Sequence, residues 1–239
     1  MTTNDKNARI AGFVFLLLVL VAPFRLIYLP DALFVTGDAA ATARNIAAHE
    51  TLFRFGILAD LVAGTLTLFL TFTFYRLFET VDRSLAVLVV ILGGVLPTAI
   101  YFFNVLNDAA ALLIVRGPDF LSVFSQEQRD ALALFFLKLH GQEIGAAMVF
   151  WGLWLFPLAL LVLRSGFAPK FLGWWLIVNG FAYLAQSVAW AVLPRIEDTI
   201  ATIAMPLQFG EVALMLWLLL FGARRTLRSH PETLSTAST

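Results

Sequence analysis

The sequence predicts an all-α integral membrane protein, a bundle of six transmembrane helices. Three observations carry that prediction. The 239 residues are 60% hydrophobic and only 13% charged, with a mean hydropathy of +0.87, whereas soluble domains average about 45–50% apolar and about 25% charged residues. Six apolar stretches are each long enough to cross the roughly 30 Å hydrocarbon core at about 1.5 Å per residue. The polar residues inside those stretches recur at helical intervals.

The expected spans are Ile10–Tyr28, Leu52–Phe74, Leu85–Val115, Leu132–Leu163, Phe171–Leu193 and Ile200–Phe221. The first follows Lys6 and Arg9, as a signal peptide would. It runs on through Pro23, Phe24 and Arg25 without a small-x-small cleavage site, so it reads as an uncleaved helix. The third and fourth are longer than a span requires, and Pro97 and Pro157 are their natural kink points, with Pro206 in the sixth.

Orientation follows from Lys and Arg. An inside N-terminus puts Lys6, Arg9, Arg76, Arg83, Arg164, Lys170, Arg224, Arg225 and Arg228 in the cytoplasm, against Arg44, Arg116, Arg129 and Arg195 outside. This nine-to-four bias places both termini in the cytoplasm and the chain in the plasma membrane. Residues 1–223 form the six-helix domain, and 224–239 a polar cytoplasmic tail. Two short amphipathic helices are expected on the outer side, one N-capped by Asp38 and one opened by the Ser125–Gln128 capping-box spacing.

Composition excludes other classes. Sixteen basic residues balance sixteen acidic ones, so there is no basic field for a nucleic acid. Without cysteine the chain has no disulfide, thiolate metal site or thiol nucleophile. The bilayer is the one partner composition dictates; a small-molecule or lipid ligand is a further expectation.

Between Leu139 and Gly173 the text LHGQEIG, FWGLWLFPLALLV and RSGFAPKFLG, with the earlier ARIAGF, GDAAATARNI and LFRFGILADL, resembles a known family. It is similar to the bacterial multi-pass membrane proteins catalogued as domain of unknown function 4386, from about Ala8 to Gly222. The resemblance implies a helical membrane protein of bacterial type with His140 as a family position. It implies no activity, cofactor or metal.

Polar side chains within spans are the informative positions, because a central charge costs roughly 2.5–3.5 kcal/mol on insertion scales. Counted from the cytoplasmic end at about 1.5 Å per residue, Glu211 lies about 20 Å in, Gln186, Asp60 and Arg25 about 22–24 Å, and Asn104 about 28 Å. Asp108, Lys138, His140, Glu143 and Arg54 lie farther out, and Asn179 is the inner exception. Asn104, Asn107 and Asp108 share a face, as do His140 with Glu143 and Gln208 with Glu211. All six spans thus contribute to the outer half, which suggests one cavity opening outward. Its candidate ligand-binding residues are Arg54, Asp60, Asn104, Asp108, His140, Glu143, Gln186, Gln208 and Glu211.

Blander readings stand beside this one. Arg25, Arg54 and Lys138 could pair structurally with Asp60, Glu143 and Glu211, and Lys138 and Asp108 could snorkel to the interface. His140 with Glu143, joined by Asp60 or Glu211, has the makings of a divalent-metal site, but no HExxH accompanies it and a structural histidine is the alternative. Trp174, Trp175 and Trp190 suit interfacial belts. The leading function is binding of a small polar or amphipathic ligand, as a transporter or sensor. The alternatives are a membrane-embedded enzyme acting on a lipid or isoprenoid, with or without a metal, and a structural protein without a ligand.

Overall fold

In lipid these segments can satisfy their backbone groups only as helices or a closed barrel. The computed structural model describes residues 3–223 and contains helices and connections, with no strand among the described residues. The polar tail expected at 224–239, with Arg224, Arg225 and Arg228, lies outside the described residues. Six helices are long and apolar enough to cross a membrane: α1 (Thr3–Leu33), α3 (Glu50–Phe78), α4 (Arg83–Arg116), α5 (Gln126–Ser165), α6 (Lys170–Val192) and α7 (Glu197–Leu220). A short α2 (Ala39–Ala48) precedes α3.

The side chain of Asp38 starts α2 by accepting the Ala41 N–H at 2.8 Å. The second short helix expected from the sequence does not exist as a separate element. Ser125 Oγ accepts the Gln128 N–H and Gln128 Oε1 accepts the Ser125 N–H, at 3.2 and 2.8 Å, but the helix they open is α5 itself. No Gly or Pro interrupts the chain between Gln126 and His140, so the capped turn propagates directly into the span. The rest of that connection holds one turn, Asp119–Leu121.

Proline shapes the long helices. Backbone helicity breaks at Trp154, three residues before Pro157, and at Gln208, two residues after Pro206. In α1 and α4 the adjustment takes another form, a wide π-helical turn: Phe24–Tyr28 just before Pro30, and Val90–Val95 just before Pro97. A proline cannot donate to the carbonyl four residues back, here Leu26 and Gly93. Bonding to the fifth residue back instead, as from Leu29 N–H to Phe24 O and Leu96 N–H to Ile91 O, accommodates the missing donor. Such π turns are frequent at functional sites.

The spans pack in a closed ring, each on its neighbour: α1 on α3, then α4, α5, α6 and α7, which returns to α1. Close approach within the ring depends on glycine. A Cβ on Gly152 would stand 2.8 Å from the Gly180 carbonyl oxygen across α5 and α6, and one on Gly12 would stand 2.6 Å from the Leu219 nitrogen across α1 and α7. At the end where α1 begins, Arg9 Nη1 donates to the Leu219 carbonyl at 3.0 Å, and Arg164 meets Asp82 at 2.6 Å. A large apolar core including Phe15, Phe74, Phe78, Leu158 and Leu214 fills this half. The opposite half has a smaller cluster around Leu29, Ile46, Phe53 and Leu112. The polar residues lie between and beside these cores.

Candidate functional site

Arg25 sits in the π turn of α1 and is buried to 3% exposure. An isolated buried guanidinium is untenable, and three further spans compensate it. Arg25 Nη2 donates to Asp108 Oδ2 and Oδ1 of α4 at 2.7 and 2.8 Å, and Nε donates to Oδ2 at 3.1 Å. Nε also lies 3.2 Å from Asp60 Oδ2 of α3. His140 of α5 brings Nδ1 to 2.9 Å from Arg25 Nη2 and 3.3 Å from Asp108 Oδ1, and Nε2 to 3.9 Å from Asp60 Oδ2. All four side chains are buried. Asn104 extends the network, donating from Nδ2 to the His140 carbonyl at 3.1 Å, and Asn107 bridges Asn104 Oδ1 and Glu143 Oε1, each at 3.2 Å.

The nearest ligand atoms of Asp60, Asp108 and His140 lie within 4.8 Å of one another, a spacing that suits a cation. The Arg25 guanidinium supplies positive charge to both carboxylates and contacts the imidazole, so the cluster has a cation of its own. The structure therefore groups His140 with Asp60, one of the two acids the sequence offered as its companions, and with Asp108, and leaves Glu143 and Glu211 outside the group.

This cluster adjoins a vestibule of about 690 Å³ at the end of the bundle where α2 lies. Arg25 and His140 belong to its wall, together with Asp31, Lys138, Gln142, Trp190 and Glu197. Trp190, expected in an interfacial belt, donates from Nε1 to Gln142 Oε1 at 3.1 Å across this wall. Its volume lies within the roughly 300–1,000 Å³ of ordinary ligand pockets.

The other candidates separate into distinct places. Gln208 and Glu211 line a second cavity, of about 220 Å³, bordered by all six spans. Leu26, the residue after Arg25, borders both spaces. The candidates expected around a single cavity thus border two spaces, whose linings share Leu26 alone. Gln186 is buried, with Nε2 making no hydrogen bond among the described residues. Arg54 turns away: it is exposed and paired with Glu50 at 2.7 Å on its own helix. Asp108, for which snorkelling was an alternative, is fully buried because Arg25 holds it. Lys138 is exposed and borders the vestibule.

Sequence reasoning weighed Arg25 only as a structural partner, and passed over Tyr101 and Tyr183, which border the second cavity. A signal existed for the tyrosines. The chain has four, and two lie well inside spans, away from the interfaces where tyrosine is usual.

A family model described as Domain of unknown function (DUF4386) matches residues 10–222. No curated protein and no solved structure matches the chain.

Proposed function

We propose, for a chain that belongs to the DUF4386 family, that it receives a small polar or amphipathic ligand through the vestibule, as a transporter or sensor. The observation that carries this reading is the meeting of the vestibule with a buried charge cluster drawn from four spans. Groups that only stabilise each other need no opening, whereas Arg25 and His140 border a volume large enough for a ligand. Intramembrane charges that line a cavity are functional by default.

The vestibule faces outward in this reading. Lys6, Arg9, Arg76, Arg83, Arg164 and Lys170 gather at the opposite end, which the positive-inside rule assigns to the cytoplasm. Both termini then lie in the cytoplasm, and the membrane is the plasma membrane.

The test is complementation of a deletion strain. Arg25→Met, Asp60→Leu and Asp108→Leu made together remove the guanidinium and both carboxylates, so none of these three is left as a buried ion without its counter-ion, while His140 keeps its place on the vestibule wall. A binding site must keep those groups polar and placed. The triple variant should accumulate in the membrane and fail to restore the deletion phenotype. Full restoration would assign the cluster to helix packing alone.

A second reading, an enzyme acting on a lipid or isoprenoid with His140 as base, draws on the approach of Asp60, Asp108 and His140 to one point. It requires a cation to displace Arg25 if a metal is involved. Elemental analysis of the purified protein showing one metal per chain would favour it.

A further inference from the structure

Glu211 of α7 faces the inner cavity from the middle of its span. Asn179 Nδ2 donates to its Oε2 at 3.3 Å, and the Tyr183 hydroxyl hydrogen-bonds the same carboxylate. Among the described residues no Lys, Arg or His forms an ion pair with it. This distinguishes it from Asp60 and Asp108, which share Arg25. An uncompensated carboxylate in the hydrocarbon layer is costly, yet this one borders a space.

Five aromatic residues, Phe15, Tyr101, Trp151, Trp154 and Tyr183, stand in the lining of that space among aliphatic ones such as Leu18, Val19 and Leu70. Trp151 packs edge-on against Tyr183, with ring centroids 6.0 Å apart and planes at 74°, and Tyr101 stacks on Trp151 at 6.4 Å and 29°. The near-perpendicular Trp151–Tyr183 pair makes a corner, and all three residues border the cavity with Glu211. Ring faces are electronegative and attract a cation, tryptophan most strongly.

We infer that this inner cavity is a binding site for a small organic ammonium cation, with Glu211 as counter-ion and Tyr101, Trp151 and Tyr183 as its aromatic walls. The alternatives fit the walls less well. An anion would be repelled by Glu211, and the Thr67 and Thr71 hydroxyls beside it already donate to helix carbonyls. A hard metal ion needs several oxygen ligands, and this lining has a single carboxylate. A neutral apolar guest would leave the charge of the carboxylate without a counter-ion, its partners among the described residues being the Asn179 amide and the Tyr183 hydroxyl. At about 220 Å³ the space is below the range for drug-sized ligands, so it suits an ammonium head with a short substituent. The site stands whether or not the vestibule binds a ligand.

Calorimetry on the full-length protein in lipid nanodiscs tests this with two probes of nearly equal shape, choline and its neutral carbon isostere 3,3-dimethylbutan-1-ol. Choline should bind at least about tenfold more tightly than the isostere, and Glu211→Gln should weaken choline by about tenfold or more. Trp151→Leu, which leaves the carboxylate in place, should also weaken choline, while Glu50→Gln on the exposed start of α3 should not. Equal affinity for the two probes, no choline binding, or unchanged binding by Glu211→Gln would overturn the inference. Choline calorimetry reads the inner cavity directly, and the triple cluster variant keeps Glu211, Tyr101, Trp151 and Tyr183, so failure of one site is distinguishable from failure of the other.

Discussion

Arg25 grips both carboxylate oxygens of Asp108, at 2.7 and 2.8 Å from a single guanidinium nitrogen. The two residues lie 83 positions apart in sequence and join α1 to α4 in the interior of the ring. Replacing Arg25 by Met would leave Asp108 and Asp60 buried without their cation, and breaking a buried pair costs about 3–5 kcal/mol. We expect Arg25→Met to lower the melting temperature of the detergent-solubilised protein sharply. Adding Asp60→Leu and Asp108→Leu should recover most of the loss, since no charge is then stranded. A single variant as stable as wild type would mean that water, not Arg25, compensates the aspartates.

A second expectation concerns the α5–α6 crossing. The Gly152 and Gly180 backbones touch, and a Cβ on Gly152 meets a carbonyl oxygen that cannot rotate aside. Gly152→Ala should cost about 1–3 kcal/mol by overpacking, read by thermal or denaturant unfolding. Gly141→Ala on the same helix has nothing within 4 Å of the new Cβ and should be neutral.

Sidedness is testable by labelling, because the chain contains no cysteine. Single cysteines at the exposed Ser122 and Thr199 should react with an impermeant thiol reagent in intact cells, and one at Ser84 should be shielded. The reverse pattern would invert the bundle and turn the vestibule toward the cytoplasm.

Much of this architecture is legible in the sequence. The six spans, the breaks near Pro157 and Pro206, and both caps follow from local chemistry, namely apolar length, a missing proline N–H and a side-chain oxygen before the first turn. What escaped was lateral. Depth along a helix says that Asp60, His140, Glu143 and Glu211 lie in the outer or middle part of the bilayer, but which of them meet depends on the ring order of the spans. The ring sets α1, α3, α4 and α5 around one point and leaves Glu211, on α7, facing another. Arg54 was misjudged for a similar reason. Near a helix end, with Glu50 one turn away, it finds a partner at the surface and has no need of the interior. The π turn holding Arg25 had a readable cause in Pro30, yet nothing in the local text announces which neighbours the wide turn would face.

The most direct measurement compares two cysteines on α5, one in the vestibule and one facing lipid. Ile144 borders the vestibule, while Ala146 is exposed on the outside of the bundle. Thiols react as thiolates, which form in water and not in hydrocarbon. A charged, membrane-impermeant methanethiosulfonate added to intact cells should therefore modify Ile144→Cys and leave Ala146→Cys untouched. If Ile144→Cys resists the reagent, or both positions react equally, the vestibule is not an outward-open aqueous space and the proposed route to Arg25 and His140 fails.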